Sequence, residues 1–239
     1  MIHLLMSLGL ALVAALVLKL LIPAWWLCTL LGLLAGGGLF FWLSRRAQSQ
    51  LEAIFQRAGE LLKKQQFDAA LAVMKEAYAL APRQFLVKGT VDGQIGMVQY
   101  VRKKHEEAEP LLKSASMQHY IAKAMLAILQ WRRGEVKEAR KTFELALKSG
   151  RKESLLYAVY AFVLNEMKER DHAIEILNKG LAVCKGDERL LNNRNLLQNK
   201  KPMKMKVYGE QWYQFLLERP VLRQELPPFV RISKRALKG

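Results

Sequence analysis

Side chains that often carry chemistry are scattered along this sequence. The histidines and cysteines are His3, His105, His119 and His172, with Cys28 and Cys184. None of them stands beside a second potential ligand at the spacing that zinc sites use, and the two cysteines lie in unrelated contexts, so no disulfide framework is predicted. The sequence also lacks the GxSxG, GxxxxGK(S/T), GxGxxG and HExxH motifs. We therefore predict no metal, no cofactor and no catalytic residue, and hence a protein that is not an enzyme.

One acidic cluster could be taken for acid–base chemistry. Glu106, Glu107 and Glu109 directly follow a basic run at residues 103–105. Carboxylates in the first turn of a helix stabilise it, because they interact with the partial positive charge of the helix N-terminus. The pattern therefore indicates the start of a solvated helix rather than a proton-transfer site.

The charged residues are distributed unevenly along the chain. It has 239 residues, of which 38 are lysine or arginine and 21 are acidic, and Lys19 is the only charged residue before residue 45. An apolar N-terminal segment is thus followed by a strongly basic remainder. A basic excess favours anionic partners, which include lipid headgroups, nucleic acids and acidic proteins, without choosing among them.

Two apolar stretches, residues 4–22 and 24–43, make up the N-terminal segment. Each has about 20 residues, the length of α-helix that crosses a bilayer. Pro23 separates them and leaves almost no loop, so they predict a tight transmembrane hairpin. A cleaved signal peptide is the alternative, but signal peptides begin with a basic region, and this sequence begins without Lys or Arg and continues into a second apolar stretch.

The residues after the second stretch predict its orientation. Arg45 and Arg46 follow it directly, and basic residues that flank a span stay on the cytoplasmic side of the membrane. We therefore expect an integral protein of the bacterial inner membrane, with both the N-terminus and the C-terminus in the cytoplasm.

Small residues form a stripe on each apolar stretch. Gly32 and Gly36 make a GxxxG pattern on the second, and Ser7, Ala11 and Ala15 share one face of the first. Small side chains let helix backbones approach closely within a membrane. We expect Gly32 and Gly36 to pack the two spans together, and docking of a partner membrane protein on these faces is the alternative.

From about residue 48 the sequence alternates amphipathic helical segments with short turns, and it contains no strand-like alternation of any length. One spacing of alanine, large apolar residue and small residue occurs four times, at Ala70-Met74-Ala77, Ala108-Leu112-Ala115, Ala139-Phe143-Ala146 and Ala173-Leu177-Gly180. Another small residue stands twelve positions before each leading alanine, at Ala58, Gly96, Ala127 and Ala161. Small side chains are needed where two antiparallel helices cross closely, and the large residue fills the space toward the next pair.

This arrangement resembles the tetratricopeptide repeat family over residues 51–187, as four helix pairs that start near residues 51, 89, 120 and 154. Such a family member would fold as an α-solenoid. The expected fold is therefore all-α, with a two-helix transmembrane anchor at residues 1–46, a repeat domain with a cap helix (187–199) at residues 47–199, and a basic aromatic tail at residues 200–239.

In the tetratricopeptide repeat family the first helix of each pair lines a concave groove. The resemblance assigns to that groove Phe55, Leu62, Met97, Tyr100, Val101, Ile128, Trp131, Leu155 and Phe162. The set is apolar and aromatic, and the basic clamp with which some relatives hold a peptide carboxylate has no counterpart at matching positions. We therefore expect a protein partner that offers an apolar helix or an extended segment. The alternative is that several of these side chains form core between the repeats.

The tail combines basic and aromatic residues. Lys201, Lys204 and Lys206 belong to a dense basic run, and Trp212 and Phe215 follow at helical spacing. These side chains could bind the protein's own groove, an anionic lipid surface, a partner protein, or RNA or DNA through phosphate neutralisation and base stacking. No nucleic-acid-binding motif supports the last interpretation, and the other three stay open.

These features together predict a membrane-anchored repeat scaffold or adaptor, which mediates protein–protein interactions at the cytoplasmic membrane face. The layout is similar to that of the HemY family, in which two spans precede a repeat domain, although no motif beyond the repeats is matched. The alternatives are a structural subunit or assembly factor of a membrane complex, and a membrane-tethered RNA- or DNA-binding protein. The sequence predicts neither the partner nor the oligomeric state.

Overall fold

A computed structural model describes residues 2–21, 25–82 and 87–218. The α-helices are α1 Ile2–Leu21, α2 Trp25–Lys63, α3 Phe67–Glu76, α4 Val87–Val101, α5 His105–Ser114, α6 Tyr120–Arg132, α7 Val136–Ser149, α8 Ser154–Glu166, α9 Arg170–Val183, α10 Glu188–Gln198 and α11 Glu210–Tyr213. Short 3-10 helices occupy Ala77–Leu80 and Met205–Tyr208, and the described residues include no strand. The fold is therefore all-helical, as the sequence predicts.

The described residues divide into two compact units. The first is drawn from Met1–Gly59 and Asp68–Val91, and the second from Glu60–Phe67 and Asp92–Gly239. Helices α2 and α4 each contribute residues to both units.

In the first unit, α1 and α2 meet at their small residues. A Cβ atom added to Gly32 would lie 2.6 Å from the backbone oxygen of Ala11, and one added to Gly36 would lie 2.7 Å from that of Ser7. The two backbones therefore touch, and no side chain fits between them at these positions.

One described helix is long and apolar enough to cross a membrane. It covers Trp26–Lys63 and contains a window of mean hydropathy 1.8. Helix α1 contributes a second, shorter apolar stretch, Ile2–Val17, among the residues whose side chains are described. The expected pair of spans is thus supported for the second helix and not for the first, and residues 22–24 of the predicted turn lie outside the described residues.

Helix α2 continues without a break from the apolar segment into the predicted repeat region. The expected boundary after residue 46 therefore marks a change in composition within α2, where the helical backbone is continuous. The first helix of the first repeat pair has no start of its own, because it is the C-terminal part of α2.

The second unit contains the helix pairs α4–α5, α6–α7 and α8–α9, joined by short turns. The leading alanines Ala108, Ala139 and Ala173 are all buried. Gly180 stands where the other repeats have alanine, and a Cβ there would lie 2.8 Å from the Tyr157 ring. The predicted requirement for small residues at the helix crossings is thus met in the structure.

A recurrent turn ends the first helix of every pair. Its central residue has a positive φ, between 57° and 82°, at Gln65, Lys103, Gly134, Lys168 and Lys200. The N–H of each donates to the carbonyl three residues earlier, and the following N–H donates to the carbonyl five residues earlier, which is the hydrogen-bond pattern of a Schellman turn. Because α10 ends in the same turn as the others, the predicted cap helix is the first helix of a fifth, incomplete pair.

Candidate peptide-binding groove

The tail takes the place of the missing second helix beside α10. Asn193 stands seven residues before its turn residue, as Gly96 does in α4, and Met205 follows Asn193 by twelve positions, as Ala108 follows Gly96. Asn193 and Met205 are both buried. The Asn193 carboxamide oxygen accepts a hydrogen bond of 2.7 Å from the Lys204 backbone N–H, so a side chain supplies the contact that helix packing supplies in the other pairs.

The first part of the tail alternates between buried and exposed side chains. Met203 and Met205 are buried, whereas Lys201, Lys204 and Lys206 are exposed. The methionines thus hold this segment on the helices while the lysines face solvent. The basic and aromatic tail residues that the sequence groups together are therefore separated in the structure.

Tyr208 is covered by an ion pair at the start of α10. The Arg189 guanidinium lies 4.9 Å from the centre of the Tyr208 ring and 2.9 Å from the Asp187 carboxylate. Asp187 also caps α10, accepting 3.0 Å hydrogen bonds from the N–H groups of Arg189 and Leu190. Burial alone would raise the pKa of Asp187, but the hydrogen bonds from Arg189, Ser154 and Leu190 outweigh it and hold the pKa at about 2.

The aromatic tail residues lie against the first helices of the pairs. Trp212 is 0% exposed and Phe215 is 2% exposed. The Phe162 ring of α8 meets the Trp212 ring edge to face, with 5.0 Å between the ring centres. The Trp212 indole N–H donates to Glu218 over 3.0 Å, so its polar atom is satisfied although the ring is buried.

Two side chains of neighbouring pairs bind the backbone of the tail. The Tyr100 hydroxyl of α4 donates to the carbonyl oxygen of Phe215, and the Arg132 guanidinium of α6 donates to that of Leu216, each over 2.6 Å. Leu216 has φ of 53°, and this left-handed conformation turns the two successive carbonyls toward these donors. Burial raises the pKa of the Tyr100 hydroxyl well above its usual value, and Arg132 opposes that effect, so the hydroxyl stays a donor.

We call the surface that holds the aromatic tail the tail groove. Its observed contacts with the tail come from Tyr100, Arg132 and Phe162. The tail contacts α8 at Trp212, α4 at Phe215 and α6 at Leu216. Trp212 and Phe215 are thus buried against the chain's own repeat helices, and the four interpretations of these residues stay predictions.

The residues assigned to the groove from the sequence fall into several environments. Tyr100, Val101, Ile128 and Leu62 are buried, while Met97, Trp131, Leu155 and Phe162 are half-buried against the core of the second unit. Phe55 is half-buried and belongs to the first unit. The predicted set therefore mixes side chains that contact the tail with side chains that form core.

Sequence reasoning missed Arg132, Asn193 and Met205. Arg132 stands beside Arg133 in the sequence, and which of the two binds the tail depends on where the tail carbonyls lie. Asn193 and Met205 do carry a signal, because their twelve-residue separation continues the repeat spacing. They were not recognised because the pattern demands small residues, and neither of these is small.

The described residues hold no group of three or more His, Cys, Asp or Glu side chains that could bind a metal ion. What the groove offers is apolar surface together with two hydrogen-bond donors. Such a surface can hold a protein segment by side-chain burial and by main-chain hydrogen bonds.

Comparison with known families bears on the repeats. Residues 102–161, from the end of α4 into α8, match the tetratricopeptide repeat family. The match covers the pair α6–α7 and supports the assignment of the repeat region to this family. The comparisons with curated proteins and with solved structures each return no match.

Proposed function

We propose that the protein is a membrane-anchored tetratricopeptide repeat scaffold, which binds partner proteins at the cytoplasmic face of a bacterial inner membrane. The observation that carries the proposal is a stack of helix pairs, matched to this family over residues 102–161, that continues from a long apolar helix. Repeats of this family typically serve as interaction surfaces and not as enzymes, so we propose no catalytic activity.

The exposure of the apolar helices supports the membrane anchor. Only 17% of the most apolar window of α2 is buried, and Leu33, Leu34 and Phe41 are each about 65% exposed. The core helix of a soluble protein of this hydropathy would bury these side chains, so a lipid environment fits them better. We propose that α1 crosses the membrane with α2, and that Arg45 and Arg46 keep the repeats on the cytoplasmic side.

The scaffold proposal is tested by crosslinking in native membranes. A photoreactive residue is placed at Met117 or Leu145, two exposed apolar side chains of the repeats, and crosslinked products are identified by mass spectrometry. We expect a reproducible set of partner proteins in the membrane fraction. The same probe at Lys152 serves as an exposed polar control. If no position on the repeats yields a partner above the control, the scaffold proposal is wrong.

A second candidate is a structural subunit or assembly factor of a membrane complex, with the apolar helices as the interface. A Cβ added to Gly37 or Gly38 would meet nothing within 4 Å, so packing among the described residues does not explain these glycines. Glycine costs a helix about 1 kcal/mol relative to alanine, and close approach of a partner helix would offset that cost. This candidate requires Gly37→Leu to reduce co-purification of a membrane partner, and unchanged co-purification would remove its support.

Contact of the tail with anionic lipid is a further proposal. Lys201, Lys204 and Lys206 are exposed and form no ion pair within the described part of the chain. Binding of single-stranded nucleic acid is less favoured, because Trp212 and Phe215, the aromatic residues able to stack on bases, are buried. Amine labelling in proteoliposomes should show these three lysines protected by anionic but not by neutral lipid. Equal labelling in both would remove the lipid proposal.

A further inference from the structure

We propose that the tail groove is a peptide-binding site whose resident ligand is the chain's own segment 210–218, and that it accepts a partner segment with two aromatic side chains three residues apart. The inference rests on the proposed scaffold function and names the class of partner. The observations behind it are the burial of the Trp212 and Phe215 rings and the two hydrogen bonds to the tail backbone.

The side-chain part of this recognition is aromatic. Trp212 lies in the short helix α11 and Phe215 follows three residues later, so one helical turn brings both rings to the same side. Phe162 contacts the Trp212 ring, and Phe215 belongs to the core cluster of the second unit. Complete burial of both rings means that smaller side chains would leave the site partly empty.

The backbone part does not depend on the sequence of the ligand. Tyr100 and Arg132 donate to the carbonyls of Phe215 and Leu216, which lie just beyond the end of α11. Carbonyls at a helix C-terminus have no partner within the helix. Any segment that ends one helical turn in the same way would offer these acceptors, so the two donors specify conformation and direction.

A glycine separates the aromatic segment from the part of the tail that is bound to α10. Gly209 has φ of 62° and ψ of −142°, a conformation that residues with side chains rarely adopt. Before it, Met203, Met205 and Tyr208 are held on α10 by burial, by Asn193 and by Arg189. The aromatic segment can therefore leave the groove by rotation about Gly209 while the preceding segment stays bound.

The test uses the full chain in detergent micelles and a labelled peptide of residues 207–218, with binding followed by fluorescence anisotropy. In the wild type the attached tail competes at an effective concentration on the order of millimolar. The variant with Trp212→Ala and Phe215→Ala should therefore bind the peptide about tenfold or more tightly than the wild type does. A peptide carrying the same two substitutions should not bind. The control protein, Met117→Ala with Leu145→Ala, should behave as the wild type.

The backbone donors are tested in the variant that lacks the two tail aromatics. Adding Arg132→Ala should weaken peptide binding about tenfold, as expected for loss of a hydrogen bond from a charged donor. Arg133→Ala is the matched control, because the neighbouring Arg133 pairs with Glu109. Equal loss in the two variants would contradict specific recognition of the tail backbone.

A second preparation keeps the proposal testable if the aromatic variant does not fold. A protease site inserted after Gly209 is cut once the chain has folded, and the cleaved protein is mixed with excess labelled peptide. Exchange of the released segment for the peptide supports the proposal. If neither preparation binds the wild-type peptide better than the substituted peptide, the groove is core and the proposal is overturned. Crosslinked partners on other repeat surfaces would still be found in that case, so failure here is distinct from failure of the scaffold function.

Discussion

Tyr100 connects the repeats to the tail through a single hydroxyl group. Its hydrogen bond to the Phe215 carbonyl is buried, so Tyr100→Phe leaves that carbonyl without a partner. We expect the free energy of unfolding to fall by about 1–3 kcal/mol, measured by denaturant titration with circular dichroism. In the background of Trp212→Ala and Phe215→Ala the same substitution should cost less, because the two changes are coupled. Equal costs in both backgrounds would show that the bond does not hold the tail.

Asp187 gives the fold a pH dependence at acid pH. Its pKa is held at about 2, below the usual value of 3.8 for an aspartate side chain. A carboxyl group with a depressed folded pKa stabilises the fold above its unfolded pKa, and that stability is lost as pH falls toward the folded value. The stability difference between wild type and Asp187→Asn should therefore shrink between about pH 4 and pH 2. A difference that stays constant over this range would contradict the proposed hydrogen-bonded carboxylate.

The aromatic residues of the tail and the arginine that binds its backbone differ in how far the sequence predicts their roles. Trp212 and Phe215 can be recognised as anchors from their type and spacing alone. Arg132 cannot, because its function depends on the position of a carbonyl more than eighty residues away in the chain. Every residue has a backbone carbonyl, so the sequence does not indicate which of them accepts this hydrogen bond.

At the scale of the elements, adjacent glycines of α2 provide a matched pair. A Cβ at Gly36 would lie 2.7 Å from the Ser7 backbone oxygen, whereas one at Gly37 would meet nothing within 4 Å. Gly36→Ala should therefore push α1 away and destabilise the chain in detergent. Gly37→Ala should be neutral, or stabilising by up to about 1 kcal/mol through helix propensity. Thermal unfolding of both variants in one detergent compares them, and similar shifts would contradict the close approach of α1 and α2.

Helix positions in the repeats follow from the sequence because small residues recur wherever helices cross. The fifth pair could not be predicted in this way, because Asn193 and Met205 stand where the other pairs have small residues. A 3-10 segment also stands where the other pairs have a second helix. The continuity of α2 through residue 46 also escapes prediction. The change from apolar to basic composition suggests a boundary that the backbone does not have.

At the scale of the whole molecule, the chain begins with apolar helices and continues into helix pairs. Composition and periodicity predict the all-α class and the repeats, which the family match over residues 102–161 supports. They leave the fate of the tail open, because the same aromatic and basic residues suit a groove, a membrane or a partner. In the structure, Trp212, Phe215 and Leu216 contact the chain's own helices.

The membrane anchor is the claim on which the proposed function depends most. Membranes from cells that make the full chain are washed with alkaline carbonate, and the pellet and supernatant are compared with those of a chain that starts at Arg45. We predict that the full chain stays in the pellet and that the shortened chain is released, since most of the exposed large apolar side chains lie before residue 45 in α1 and α2. Release of the intact full chain into the supernatant would contradict the account.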